Sequence, residues 1–309
     1  MLSIVGSGAM GCLWAAHLYQ QTDVCFVVTE PYRQKHHLSA PYSALSFNAF
    51  PNALESQPHR ISTPRLAPDT AIKHDSTILI MTKSYDVDAA IIDIKPYLGA
   101  QNIVVLFQNG FGSQQRACNA LGDTPCFAAV TTEGANKPDH QTVIHAGHGE
   151  TVIGPMNKPA QLIGKAQWFD KLAASKLTLC YDPSISIQLM RKLAINCAIN
   201  PFTAIGNCRN GAVRKQRLFQ EVWPQLRAEL AAMLNHANLN LSESELEEIV
   251  FDVMTKTANN QSSMLQDINS ARPTEIDDIN GFAHRYLEQH GLPFQMNKSL
   301  TEQVHALRS

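Results

Sequence analysis

The chain has 309 residues, of which 44% are hydrophobic and 17% charged, and its formal net charge is -2. That is long enough for two domains, and the composition is that of an ordinary soluble globular protein. The near-balanced charge excludes nucleic acid or an anionic membrane surface as the main partner; basic residues come in small groups such as Arg209, Arg214, Lys215 and Arg217, a solvated surface that could at most greet a small anion.

Leu2 to Val5 reads as a short strand, and Gly6-Ser7-Gly8-Ala9-Met10-Gly11 follows at once. Leu13, Trp14, Ala16, His17 and Leu18 then carry helical spacing up to Gln21, and Val24 to Val28 reads as a second strand, followed by Thr29-Glu30-Pro31. Strand, glycine turn, helix and strand within about thirty residues is the context that a GxGxxG dinucleotide fingerprint requires. Gly6 allows the tight turn, Gly8 lets the backbone approach a pyrophosphate, and Gly11 lets the helix pack closely on the strand. The N–H groups at the start of that helix then face the anion. Further parallel strands are expected at Thr77 to Met81, Ile103 to Phe107 and Cys126 to Val130, with a shorter β-branched run at Thr142-Val143-Ile144. The stretch from 40 to 70, rich in Pro, Ser and Asn, reads as irregular and peripheral. Ligands of open α/β sheets bind beyond the carboxyl ends of strands. That singles out Thr82-Lys83-Ser84, Gln108-Asn109-Gly110-Phe111-Gly112 and Thr131-Thr132-Glu133-Gly134-Ala135, although each alone could be a simple turn.

From about Asp182 the pattern is helical only. A boundary at Tyr181-Asp182-Pro183 gives a Rossmann-type dinucleotide-binding domain over residues 1–182 and an all-helical domain over 183–309, an α/β plus all-α architecture. Ile187 to Ile205 is mostly apolar, and within it Lys192, Asn196 and Asn200, at steps of four, form one polar stripe. Such a helix is buried, and a buried lysine is costly unless it is paired or needed; a polar seam between helices is the alternative. Pro201 is expected to kink the helix just after Asn200. Phe219 to Asn238 is periodic, and Ser242 with Glu245 makes a capping box opening a long helix through about Ile268. Inside that helix lies Asn259-Asn260-Gln261-Ser262-Ser263, either an exposed face or a functional interruption, since Asn and Ser are poor interior helix formers. Thr274 with Asp277 makes a weaker box, its helix running to Gly291, with Glu275 in the first turn where a carboxylate complements the macrodipole.

The helical half thus offers one lysine, one carboxylate and several neutral hydrogen-bonding heads, and the first half a nicotinamide nucleotide. Reduction of a 2-keto acid needs those parts. Hydride goes to the carbonyl carbon, and a lysine ammonium can both stabilise the developing alkoxide and protonate it, burial lowering its pKa toward neutrality. No metal is expected: His145 and His148, and the pair His36-His37, lack a third ligand at recognisable spacing and read as surface histidines. No GxSxG or Cys-His arrangement suggests a covalent nucleophile. The seven cysteines, Cys12, Cys25, Cys118, Cys126, Cys180, Cys197 and Cys208, are scattered without a CxxC pair and read as reduced core cysteines. With no basic leader before Leu2 and no apolar run of the ~18 to 20 residues that a span needs, a cytoplasmic protein is expected.

Arg191-Lys192-Leu193-Ala194-Ile195-Asn196-Cys197-Ala198-Ile199-Asn200-Pro201 with Thr203-Ala204-Ile205, Ser262-Ser263-Met264-Leu265-Gln266-Asp267, and Thr274-Glu275-Ile276-Asp277 with Ile279-Asn280-Gly281 resemble the signatures of the ketopantoate reductase (2-dehydropantoate 2-reductase) family. The resemblance runs from the glycine turn to the Gly291 region. It implies NADPH-dependent reduction of ketopantoate to pantoate, on the way to pantothenate, with the cofactor in the cleft between the domains. By position, Lys192 is then the catalytic lysine and Glu275 its acidic partner. Asn109, Asn196, Asn200, Asn210, Asn260 and Ser263, with Lys192, are substrate or site-ordering contacts. Gly6, Ser7, Gly8, Ala9, Met10, Gly11, Lys83, Asn109, Ala135 and Glu275 are cofactor contacts.

Two places depart from the family pattern. Where a basic residue commonly holds the 2′-phosphate of NADPH, this chain has Thr29 or Glu30, with Arg33 a few residues later. An acidic residue there favours a ribose 2′-hydroxyl, so NADPH is expected on family grounds and NADH stays open because of Glu30. Asp86 stands three after Lys83, where a neutral amide is often seen. The implied partner is a small-molecule 2-keto acid, bound by a monomer or homodimer, with no nucleic acid or membrane. A reductase of another branched 2-keto acid, or a non-catalytic NADPH-sensing protein of the same architecture, is the alternative; the latter would be expected to lose Lys192 or Glu275.

Overall fold

Short, continuous apolar runs bounded by turn residues are too brief for buried helices and pair instead as doubly covered strands. In the computed structural model, which describes residues 1–35, 44–50 and 58–307, β1 (Leu2–Val5) leads through the glycine turn into α1 (Ala9–Leu18), β2 (Val24–Val27) and α2 (Glu30–Lys35). Next come β3 (Leu45–Phe50), β4 (His59–Thr63), β5 (Arg65–Leu66), the one-turn α3 (Pro68–Ala71), β6 (Thr77–Ile80) and α4 (Val87–Ile94). They are followed by β7 (Ile103–Leu106), α5 (Ser113–Leu121), β8 (Cys126–Thr131), β9 (Gly134–Asp139), β10 (Thr142–Gly147) and β11 (Thr151–Pro155). After α6 (Lys158–Ile163), α7 (Gln167–Ala173) and β12 (Leu179–Tyr181) the chain is helical: α8 (Ile185–Ile205), α9 (Arg217–His236), α10 (Glu243–Lys256), α11 (Ser263–Asn269), α12 (Asn280–Gln289) and α13 (Gln295–Ala306).

Eight strands form one sheet in the order β12-β11-β8-β7-β6-β1-β2-β5. From β8 to β5 every pairing is parallel, while β11 runs antiparallel to β8. Side chains alternate between two cores as the pleat requires. Leu2, Ile4, Leu79, Val105 and Phe107 enter one; Val5, Val27, Ile78, Ile80, Val104 and Leu106 enter the other. β2 and β6 flank β1 on opposite sides, so the strand order reverses at β1, and the crevice beyond its carboxyl end is the place for a ligand.

The 40–70 stretch is not irregular where it is described. It contributes β3, β4 and β5, and a second sheet of order β4-β3-β10-β9 is built on it. In β3, Leu45, Phe47 and Ala49 are buried while Ser46 is exposed, a period-2 pattern too short and too polar to stand out in the sequence. The second sheet's inner face joins the same core as Leu13, Trp14 and Leu18, with β9 and β10 against α1. That covering explains why α1 is apolar almost all round. Ala135 lies on β9, paired with His145, rather than in an open strand-end loop.

The strand-bearing unit comprises Met1–Gln108 and Ser113–Ile185; the helical unit comprises Asn109–Gly112 and Ser186–Ser309. In the first, Cys118 and Cys126 form a disulfide with Cα atoms 5.8 Å apart, so two of the cysteines expected to be reduced are paired. α5 ends and β8 begins close enough for the bridge, a proximity set by helix-to-strand packing and invisible in the spacing. Cys12, Cys25, Cys180, Cys197 and Cys208 are free thiols.

In the helical unit α8 runs unbroken through Pro201. A proline has no N–H, so it cannot donate to the carbonyl four residues back, here Cys197. The side-chain amide of Asn280 supplies that bond at 3.2 Å and also donates to Asn297 Oδ1 at 3.0 Å. Asn297 in turn donates through Nδ2 to the buried carboxylate of Glu229 at 2.8 Å, and Glu229 accepts the Met296 and Asn297 N–H groups at the start of α13. The capping box at Ser242 and Glu245 is present. The helix it opens stops at Lys256, however, and α11 starts afresh at Ser263, capped by Ser262 Oγ accepting from Leu265 N at 3.1 Å. The polar run is therefore a connection between helices. Likewise the helix expected from Thr274 begins only at Asn280, after a 3-10 turn over Ile276–Asp278. Among the described residues no helix is long and apolar enough to cross a membrane.

Candidate active site

The glycine turn is built from backbone alone. Gly6 sits at φ +109°, a region that side chains disfavour, and a Cβ there would meet the Met81 carbonyl at 2.8 Å. A Cβ on Gly11 would strike the Gly6 carbonyl oxygen, whereas one on Gly8 would meet nothing within 4 Å. Gly8 is thus open toward its surroundings and is the extended N-cap of α1, with no side chain capping the helix. Cys12 N–H takes the Gly8 carbonyl at 3.0 Å, so the N–H groups of Ala9, Met10 and Gly11 keep the outward-facing donors of a helix start. This cradle fits a pyrophosphate. Ser7 Oγ lies 3.2 Å from the Tyr32 hydroxyl. Lys137 on β9, which carried no sequence signal, donates to the Ser7 carbonyl at 2.7 Å and braces the turn from behind its own strand.

Lys83 caps the short 3-10 turn Ser84–Asp86 in extended conformation just beyond β6, and Asp86 is exposed. Beyond β2, Thr29 is buried and Glu30 exposed. Arg33 donates to both Glu30 carboxylate oxygens, through Nε at 2.7 Å and through a terminal nitrogen at 2.5 Å. Those bonds, with a further one from Gln34, hold the Glu30 carboxyl down at about 2, so it is fully charged at neutral pH.

In the helical unit, three segments converge on one carboxylate. Gly110 adopts φ +81° and its Cα faces the Asp278 carbonyl so closely that no Cβ could fit. Phe111 N–H donates to that same carbonyl at 3.0 Å, and the Phe111 ring packs edge-on against Phe282 at 5.2 Å. Docked this way, the loop delivers Asn109, whose Nδ2 donates to Glu275 Oε2 at 3.2 Å. Glu275 is only 5% exposed. Lys192, half-buried on α8, feels that carboxylate: burial pushes its ammonium from the ordinary 10.5 down to about 8, and Glu275 opposes the fall. Two charges that would each be costly alone thus stabilise one another.

Asn196 and Asn200 follow Lys192 at one and two helical turns on α8, Asn196 half-buried and Asn200 buried. Beside them, Thr203 Oγ1 donates to the Asn200 carbonyl at 2.7 Å and lies 2.6 Å from Ser262 Oγ. That contact ties α8 to the start of α11; Ser262, not the exposed Ser263, makes it. Asn210 is buried, its Nδ2 donating to Thr257 Oγ1 at 2.9 Å and its N–H to the Asn260 carbonyl at 3.0 Å. Asn260 itself points to solvent, so Asn210 and Asn260 meet through backbone. Asp278, which positions Asn109 through its backbone carbonyl, lacked any signal in the sequence; Thr203 and Asn280 stood in the family-like runs without a role assigned to them.

One histidine expected at the surface is not there. His145 is 2% exposed and its Nε2 lies 2.6 Å from Glu133 Oε2, itself buried. Their pairing depends on the register of β9 with β10, which spacing does not reveal. His36 and His37 lie outside the described residues.

A dinucleotide-type glycine turn on a parallel sheet, followed by an all-helical unit holding a lysine beside a buried carboxylate, defines a two-unit oxidoreductase architecture. The chain belongs to the ketopantoate reductase family: it matches "Ketopantoate reductase PanE/ApbA" over residues 2–158 and that family's C-terminal part over residues 185–308. It is similar to a 2-dehydropantoate 2-reductase of Vibrio cholerae, 34% identical over 98% of this chain and 96% of the relative. A crystal structure of a ketopantoate reductase from Ralstonia eutropha shares the fold, with TM-score 0.80 and 22% identity over 100% of this chain and 98% of that one. So does D-mandelate dehydrogenase, solved with NADH and anilino(oxo)acetate, with TM-score 0.81 and 21% identity over 100% and 98%.

Proposed function

We propose that this protein reduces 2-dehydropantoate to pantoate with a nicotinamide dinucleotide, Lys192 donating the proton. The observation that carries the reading is the Lys192–Glu275–Asn109 constellation in the helical unit. With its pKa near 8, the lysine at pH 7 is ammonium by about ten to one, yet it gives up a proton far more readily than a solvated lysine. When bound, the reduced nicotinamide supplies the hydride that the carbonyl carbon accepts. Lys192 Nζ hydrogen-bonds the carbonyl oxygen, stabilises the negative charge that develops there and transfers its proton to form the alcohol. Glu275 keeps the amine protonated until that moment, and Asn109 fixes the orientation of Glu275. Asn196 and Asn200, on the same face of α8, are neutral donors suited to the substrate carboxylate and hydroxyl. Asn210 with the Asn260 backbone, and Ser263, shape the neighbouring wall.

Gly6, Ser7, Gly8, Ala9, Met10 and Gly11 hold the pyrophosphate, with Lys83, Asn109, Ala135 and Glu275 as further cofactor contacts. The cofactor is NADPH, used with weak discrimination against NADH. Arg33, on α2 just after β2, is already engaged by the ionised Glu30, so a 2′-phosphate must compete for it. The test is a spectrophotometric assay with ketopantoate and ketoisovalerate side by side, each with NADPH and with NADH. Faster turnover of ketopantoate supports the reading; equal or faster turnover of ketoisovalerate replaces it with a reductase of another branched 2-keto acid.

A further inference from the structure

We propose that Glu133, His145 and His148 form a binding site for one divalent transition-metal ion of zinc-like preference, within the strand-bearing unit and separate from the reductase chemistry. The potential ligand atoms of the three residues all lie within 4.8 Å of one another. Glu133 stands between β8 and β9, His145 on β10, and His148 between β10 and β11. At both places the chain passes from one sheet of the unit to the other, leaving the large sheet after β8 and returning to it at β11, so a shared ion would pin these two passages together.

Three observations mark the cluster as more than a packed hydrogen bond. Glu133 is a buried carboxylate whose ion-pair partner, His145, is not a permanent cation; its other bond comes from Gly149 N–H at 3.0 Å. Burying a carboxylate without a fixed positive charge is unfavourable, and a bound dication removes that imbalance. His145 Nδ1 is buried with no hydrogen-bond partner among the described residues, so the protein alone leaves this imidazole under-satisfied. His148 is exposed, with its ring centroid 4.1 Å from that of His145, close enough to turn toward the same ion. The His17 ring stands edge-on to His145 at 5.3 Å and restrains its plane from the opposite element.

Two imidazoles and a carboxylate match the nitrogen and oxygen preference of zinc, and water can complete a tetrahedron. At metal–ligand distances of about 2.0–2.1 Å, tetrahedral ligands lie roughly 3.3 Å apart. Reaching that spacing takes rotation of His148 toward the pair and a slight parting of His145 Nε2 from Glu133 Oε2, now 2.6 Å apart.

The experiment is titration of the full, tag-free chain with Zn2+ alone, by calorimetry and by competition with a chromophoric chelator near pH 7.5. Co2+ absorption serves as an independent report of nitrogen and oxygen ligation. The expected result is one saturable ion per chain, weakened about tenfold or more by His148→Ala and unchanged by His140→Ala, an exposed histidine outside the cluster. Because His148 is at the surface, its loss leaves the fold intact, which circular dichroism verifies. The absence of stoichiometric uptake, or an affinity unaltered in His148→Ala, overturns the proposal.

Discussion

The glycine turn and the polar face of α8 solve opposite problems. At Gly6, Gly8 and Gly11 the requirement is absence: the backbone must bend, open and pack where any side chain would interfere. On α8 the requirement is presence, a charged head carried into an apolar setting and kept charged there by Glu275. A site made of missing atoms is carried mainly by its own short sequence, with only the backbone of Met81 and Thr82 pressing on it from afar. A site made of a displaced charge depends on distant partners, because Asn109 and Glu275 are separated by 166 residues in the chain.

Removing the ammonium is the strongest way to break the comparison. Lys192→Met should lower kcat/KM for ketopantoate by about 10²–10⁴-fold, the usual worth of a positioned general acid. Thermal stability at pH 7 should change much less than activity, since relief of the desolvated ammonium is offset by the Glu275 carboxylate left without its cation. The sign of the pH dependence follows from linkage: the folded pKa of about 8 lies below the ordinary 10.5. The folded protein therefore binds fewer protons between those values, and this group's contribution to stability rises with pH across that window. A matching loss of Tm would recast Lys192 as a structural residue.

The glycines allow a paired test of the other side. Gly11→Ala forces a methyl into the Gly6 carbonyl and should cost several degrees of Tm by differential scanning fluorimetry, along with cofactor binding. Gly8→Ala meets nothing in the protein, so Tm should hold while the dissociation constant for the dinucleotide rises. Equal behaviour of the two variants would remove the distinction between packing and approach.

Asn280→Ala strands the Cys197 carbonyl that Pro201 cannot serve and should destabilise the chain by about 1–3 kcal/mol in urea titration. The smallest effect is expected at the cofactor's edge. Glu30→Gln removes the carboxylate that competes for Arg33 and should raise the NADPH-to-NADH ratio of kcat/KM by a few fold, an exposed charge contact being worth about 1 kcal/mol or less. An unchanged ratio would remove Glu30 from cofactor choice.

What could be read from the sequence follows the same division. The parallel strands stand out because Leu2–Val5, Thr77–Ile80 and Ile103–Leu106 are buried on both faces and so uniformly apolar. β3 and β4 face the core on one side only and alternate with Ser, Asn and Arg, which hides them in a polar stretch. The stripe at Lys192 is legible because a charge in line with Asn196 and Asn200 on a largely apolar helix has few innocent explanations. Its geometry is not, because Asn109 arrives through the approach of Gly110 to Asp278, a tertiary event without local signature. The break between α10 and α11 was present as Asn259-Asn260-Gln261-Ser262-Ser263, but whether such a run caps a new helix or lines an exposed face depends on Thr203 meeting Ser262. Glu133 with His145, and Cys118 with Cys126, are matters of packing and register alone.

The proton-donor role of Lys192 is most directly tested by the pH profile of kcat/KM for ketopantoate between pH 6 and 10, measured for the parent and for Glu275→Gln. A donor held at about 8 predicts activity that falls as pH rises through that value. In the variant, where the carboxylate no longer supports the ammonium, the fall should begin at lower pH. Activity that stays level to pH 10 in both proteins, or an alkaline limb that ignores the loss of the Glu275 charge, contradicts the assignment.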